Sequence, residues 1–212
     1  MENVFETIGK AGLMPVLTVE RLEDAVPIAE ALIAGGLPVA EVTFRTEAAA
    51  KSIAAMAKVP GFFIGAGTVL KPEQVDQAID LGAKFALAPG FNPKVAARAL
   101  EKNLTFLPGI CTPSEIGLAV EMGFQVLKFF PAEPAGGPAY LKAVSAPFRG
   151  LRFVPTGSIG LEHLPSYLEM SSVIAVGGSW MVAPRLIQER KFDEITRLTC
   201  AAVEAVTKIR GK

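Results

Sequence analysis

Apolar residues along this chain recur in two alternating patterns. Short runs of β-branched, aromatic and small residues begin at Met14 (MPVLTV), Val39 (VAEVTF), Phe62 (FFIGAGT), Phe85 (FALAPG), Thr105 (TFLPGI), Gln125 (QVLKFFP), Arg152 (RFVPTGS) and Val173 (VIAVGGS). These runs have strand length. The segments between them carry the spacing of amphipathic helices, as in Leu22 to Ala34 and Pro72 to Leu81. Thr46 with Glu47, Asn92 before Pro93, and Thr112-Pro113-Ser114-Glu115 mark helix starts. Gly35-Gly36, Gly82 and Gly123 mark the stops. Eight such units, with strand starts 20 to 27 residues apart and no linker between them, predict a (β/α)8 TIM barrel. It spans residues 1–212 as a single domain with a short N-terminal helix. A doubly wound open sheet is the alternative, but the first βα turn lacks GxGxxG and the chain has no GxxxxGK[ST].

A barrel of this kind carries its chemistry at the C-terminal strand ends. Alternate strand residues face the same side, so parity sorts the polar positions. In the second strand Ala40, Val42 and Phe44 would pack on helices, which turns Glu41, Thr43 and Arg45 into the barrel. Three polar residues on one inner face are costly unless a polar cavity receives them. The other reading is a structural Glu–Arg pair plugging the floor, although Arg45 sits at the mouth. In the sixth strand Val126, Lys128 and Phe130 share a face, with Leu127 and Phe129 on the opposite one. Lys128 either snorkels to water from its apolar run or is a desolvated amine available to attack a carbonyl. The third strand ends in Gly65-Ala66-Gly67-Thr68, small residues that suit tight packing and close approach of a ligand alike. Strands seven and eight end in Pro155-Thr156-Gly157-Ser158 and Val176-Gly177-Gly178-Ser179. Loops at these two ends commonly hold phosphate on backbone amides; turn chemistry alone is the competing account.

Composition narrows the function. Among 212 residues, 21 basic and 21 acidic side chains leave no positive excess for nucleic acid. Mean hydropathy is +0.39, yet Gly, Pro or charge interrupts every apolar run well short of a membrane span. The opening MENVFETIGK lacks a signal-peptide core, and Cys111 and Cys200 have no metal-type spacing, which together suggest a soluble cytoplasmic protein. The one histidine, His163 in GLEHLPSY, fits a surface or cap position at a helix start. It cannot supply a His-rich zinc centre, and no GxSxG elbow accompanies it. What remains is a lysine, a carboxylate, an arginine, hydroxyls and an anion cup, with no cofactor or metal motif. That set suits a Schiff-base lyase acting on a keto acid, the arginine clamping a carboxylate and the glutamate moving protons. A phosphosugar isomerase with Glu41 as base, and a non-catalytic barrel that binds keto acids or phosphosugars, are the rivals.

The order and spacing of EVTFRTE, GAGTVL, APGFNP, PGICTPSE, KFFPAE, PTGSIG and GGSW make the chain resemble the 2-keto-3-deoxy-6-phosphogluconate and 4-hydroxy-2-oxoglutarate aldolase family along essentially its whole length. The resemblance implies Lys128 as the Schiff-base lysine and Glu41 as the proton shuttle. It implies Arg45 and Thr68 as binders of the pyruvate carboxylate, Pro89 and Phe130 as pocket lining, and Thr156, Gly157, Gly178 and Ser179 as the hold on the rest of the substrate, phosphate included. Many members carry a second glycine after PTG; Ser158 stands there in this chain, and its side chain either narrows the cup or adds a donor. The resemblance also implies a homotrimer and a reaction that needs no cofactor.

Overall fold

A computed structural model describes residues 4–211. Within them, helices and strands alternate along the chain. The strands are β1 (Leu13–Leu17), β2 (Val39–Thr43), β3 (Phe63–Gly67), β4 (Phe85–Leu87), β5 (Thr105–Leu107), β6 (Gly109–Ile110), β7 (Val126–Phe129), β8 (Arg152–Pro155) and β9 (Val176–Gly178). Helix α1 (Val4–Ala11) precedes β1. Between successive strands lie α2 (Ala25–Ala34), α3 (Ala49–Met56), α4 (Pro72–Asp80), α5 (Pro93–Glu101), α6 (Pro113–Glu121), α7 (Gly137–Ser145) and α8 (Leu164–Leu168). After β9 come α9 (Pro184–Gln188) and α10 (Phe192–Arg210).

The ladders between these strands are all parallel. Six strands form one sheet in the order β5-β4-β3-β2-β1-β9, and three form another in the order β6-β7-β8. This is an α/β fold whose sheets are buried on both faces, which is why the strands read as nearly continuous apolar runs. The expected strand at Thr105 is divided in two by Pro108. Proline has no N–H to give a ladder, but its carbonyl accepts from Lys128 N–H at 2.9 Å. The run therefore pairs with β4 before the proline and with β7 after it. Close approach accompanies the switch: a Cβ at Gly109 would lie 2.3 Å from the Pro89 carbonyl carbon. Between the two sheets on the other side, single parallel bridges join Phe153 to Val173 and Thr156 to Gly177.

Most local signals act as written. Asn92 Oδ1 accepts from Lys94 N–H at 3.0 Å to cap α5, and Thr112 with Glu115 forms a capping box on α6. Gly36 ends α2 in the left-handed region at φ +81°, while Gly35 is small for a different reason: a Cβ there would strike Thr199 of α10 at 2.5 Å. Three expectations need correction. Leu22–Asp24 forms a 3-10 turn and the α-helix begins only at Ala25. The last strand begins at Val176, because Val173 makes only its single bridge. Thr46 does not cap α3, which starts at Ala49; its hydroxyl donates to the Val19 carbonyl and ties the end of β2 to the end of β1. Among the described residues no helix is long and apolar enough to cross a membrane.

Candidate active site

Strand parity delivers its polar residues to the strand ends. Ala40 and Val42 are buried in the apolar core, which leaves Glu41 and Thr43 facing the interior. On β7, Leu127 and Phe129 are likewise buried in that core, and Lys128 turns inward to meet Glu41. Lys128 Nζ donates to Glu41 Oε1 at 2.9 Å, and the two side chains are 7% and 0% exposed. The amine does not snorkel. The strands fix this meeting: Glu41 lies level with Val16 and Gly65, and Lys128 with Gly109 and Val154. Phe130, which shares the face of Lys128, puts its ring centroid 5.9 Å from Nζ, at the outer edge of cation–π range.

The second oxygen of Glu41 is the notable one. Oε2 is buried and has no hydrogen-bond partner among the described residues. A buried carboxylate oxygen left unpaired is costly in a plain core and calls for an explanation, of which a catalytic role is one. It lies over Gly67, where an added Cβ would stand 2.8 Å from it. The glycine predicted to allow close approach is therefore filled by the protein's own carboxylate. Thr68 follows at φ +58°, half-buried at the end of β3.

Arg45 does not pair with Glu41. Its Nε donates to Thr43 Oγ1 at 3.0 Å and its Nη2 to Thr18 Oγ1 at 2.7 Å, while the Thr43 hydroxyl donates to the Leu17 carbonyl at 2.9 Å. Two hydroxyls thus occupy one edge of the guanidinium, and Nη1 has no hydrogen-bond acceptor among the described residues. Thr18 was missed in the sequence. Its signal was there, since the parity test applied to β2 also sends Thr18, two residues beyond Val16, toward the mouth.

The two hydroxyl-bearing loops come together at the Thr156–Gly177 bridge. Thr156 is buried, and its Oγ1 would stand 2.2 Å from a Cβ at Gly177, so that glycine is required by the threonine. Ser158 and Ser179 are exposed, and neither N–H finds a protein acceptor among the described residues. Gly157 and Ser158 both have positive φ, +118° and +57°, a backbone that glycine adopts freely and serine rarely. Over Gly178 lies the Trp180 ring, with an added Cβ 1.9 Å from it. Pro89 is half-buried at the end of β4. Among the described residues no hydrogen bond joins Thr68, Pro89 or either loop to Lys128 or Glu41.

His163 accepts from Gly160 N–H through Nδ1 at 3.0 Å and sits just before α8, a cap position. Both cysteines are free, and burial, helped by nearby Glu115, pushes the Cys111 thiol up. No cluster of three or more His, Cys, Asp or Glu suited to a metal occurs among the described residues.

The model of the family described as aldolase, KDPG and KHG aldolase, matches residues 4–198. The 2-dehydro-3-deoxy-phosphogluconate aldolase of Treponema pallidum is 45% identical over 97% of this chain and 99% of its own length. A crystal structure of 2-keto-3-deoxy-6-phospho-gluconate aldolase from Zymomonas mobilis is 40% identical, with a TM-score of 0.91 over 95% of this chain and 97% of that one. A KDPG aldolase from Legionella pneumophila, 37% identical, has a TM-score of 0.91 over 95% of this chain and 98% of that one; it was captured with pyruvate as a covalent carbinolamine.

Proposed function

The chain belongs to the KDPG and KHG aldolase family, and from that membership we propose a class I aldolase that reversibly cleaves 2-keto-3-deoxy-6-phosphogluconate to pyruvate and glyceraldehyde 3-phosphate, with 4-hydroxy-2-oxoglutarate as a second substrate. The observation that carries the reading is the buried Lys128 amine held 2.9 Å from a buried carboxylate. Lys128 Nζ adds to the C2 carbonyl, and loss of water gives the iminium. Glu41, through one bridging water, takes the C4 hydroxyl proton as the C3–C4 bond breaks. The bonding electrons move into the iminium, which leaves an enamine and a free aldehyde. Protonation of the enamine carbon and hydrolysis then release pyruvate and restore the lysine. Arg45 receives the carboxylate on its unoccupied end, beside Thr68, with Pro89 and Phe130 walling the pocket. The cup for the substrate phosphate is Thr156-Gly157-Ser158 with Gly178-Ser179; the unengaged amides of Ser158 and Ser179 support it.

The frame we propose is a closed eight-stranded (β/α)8 barrel within one domain. The partner switch at Pro108 and the Thr156–Gly177 bridge support closure on the two sides. The assembly we propose is a homotrimer, tested by a light-scattering mass of three times 22.4 kDa.

Cleavage assays on both substrates, with pyruvate and aldehyde measured separately, test the activity. A phosphosugar isomerase would release no pyruvate, and a binding protein would turn over neither substrate. The cup is tested by Ser179→Asp, which sets a carboxylate against the phosphate. Its kcat/KM on the phosphorylated substrate should fall roughly 100-fold, the scale of a like-charge clash, with little change on 4-hydroxy-2-oxoglutarate. Equal losses on both would put the phosphate elsewhere. Thr18→Val removes the acceptor for Arg45 Nη2 and keeps the shape. The pyruvate concentration that half-saturates borohydride trapping should rise roughly fivefold, as for one lost hydrogen bond, and Thr18→Ser should restore it.

A further inference from the structure

Glu133 and Tyr167 take no part in the chemistry above, yet they tie the segment after Lys128 to α8, the helix that follows the β8 loop. Five residues after Lys128, the chain runs alongside the loop after β8. Ala132 N–H donates to the Thr156 carbonyl at 2.9 Å and Glu133 N–H to the Gly157 carbonyl at 3.1 Å. The backbones touch there, for a Cβ at Gly157 would lie 3.1 Å from Ala132 N and 3.2 Å from Pro131 Cα. From this seam the Glu133 side chain reaches away to α8, where the Tyr167 hydroxyl donates to its Oε1 at 2.5 Å. Tyr167 is fully buried; burial, then the bond to Glu133, pushes its hydroxyl up, so it stays a donor. The far end of the same loop is pinned as well, by the Gly160–His163 bond, and His163 Nε2 stands 3.8 Å from Glu133 Oε2.

We infer that Glu133 and Tyr167 are positioning residues: their hydrogen bond anchors the segment that follows the Schiff-base lysine to α8 and so steadies its backbone seam with the loop that holds the substrate phosphate. The seam sets the distance between imine and phosphate, and so the length of substrate that fits. It rests on the phosphate-cup reading of Thr156–Ser158. A buried tyrosine that merely satisfied its hydroxyl would have no effect that depends on which substrate is bound.

Tyr167→Phe deletes only the donor. KM for 2-keto-3-deoxy-6-phosphogluconate should rise roughly tenfold, the scale of a lost charge-assisted hydrogen bond, while kcat stays within about twofold. KM for 4-hydroxy-2-oxoglutarate and the rate of pyruvate trapping by borohydride should stay at wild-type values. Glu133→Ala should raise the same KM, whereas Glu133→Gln, which keeps an acceptor for the phenol, should hold it near the wild-type value, and this pair carries the test if Tyr167→Phe does not fold. Equal KM changes on both substrates, or none on either, would overturn the positioning role alone. A wild type that neither traps pyruvate nor cleaves would overturn it together with the aldolase reading.

Discussion

Borohydride added with pyruvate should leave one stable reduced adduct, on Lys128 and on no other of the 12 lysines in the chain. The expectation follows from burial. Among the described residues every other lysine is exposed, where water solvates the ammonium and nothing holds a keto acid against it. Lys128 is 5% exposed, and beside it stands a carboxylate able to accept the proton that the amine must lose before it attacks. Lys128→Arg keeps a cation for Glu41 but cannot form an imine. Its cleavage rate should fall by roughly 10⁴-fold or more, the scale on which an enzyme loses its covalent nucleophile. Arginine is a better probe here than methionine, since methionine would leave Glu41 charged and alone in the interior, at a cost of about 3–5 kcal/mol. Peptide mapping of the reduced protein decides the matter. A mass increase on another lysine, with Lys128 unmodified, would remove it from the mechanism.

Glu41→Gln separates a proton carrier from a counter-ion. Glutamine preserves the volume over Gly67 and can still accept from Lys128, but it cannot carry a proton. The aldol reaction needs one in both directions, because cleavage removes a hydroxyl proton and the enamine must regain one on carbon. Cleavage should therefore drop by roughly two to four orders of magnitude. Borohydride trapping should persist, though more slowly. The sharpest measurement is exchange of the pyruvate methyl protons with deuterated water, followed by proton NMR on a folded mutant, because exchange needs only imine and enamine. It should fall together with cleavage. Near-wild-type exchange would leave Glu41 as a partner of charge alone, and its unpaired Oε2 would then lack a catalytic explanation.

Much of the candidate site was legible because strands obey a period of two. Once Ala40, Val42, Leu127 and Phe129 were assigned to the core, Glu41 and Lys128 had nowhere to go but inward. The caps at Asn92 and Thr112 were equally legible, because a cap is a contact over three or four residues. What the sequence hid depends on distant partners. Thr46 carried the same signal as a cap, but Val19 offered its hydroxyl a carbonyl 27 residues away. Thr18 holds Arg45 across the same gap of 27, and Tyr167 reaches Glu133 across 34. Pro108 was visible, but nothing local told that the run would leave one neighbouring strand for the other there. Gly177 read as part of an anion loop; the threonine packed on it is a tertiary fact.

The ion pair of Lys128 and Glu41, with Arg45 nearby at the strand ends, also sets an electrical condition on catalysis. One ammonium and one carboxylate leave the buried pair neutral at rest, while the Arg45 guanidinium is exposed at the mouth, where in the proposed reading it meets the carboxylate of the keto acid. From then on each proposed step moves a proton between groups already inside. When the amine yields its proton to Glu41, both become neutral; when the iminium forms, the two charges return; when it becomes an enamine, they vanish together. The sum never changes, so no ion has to enter or leave a buried site in which an uncompensated charge is costly.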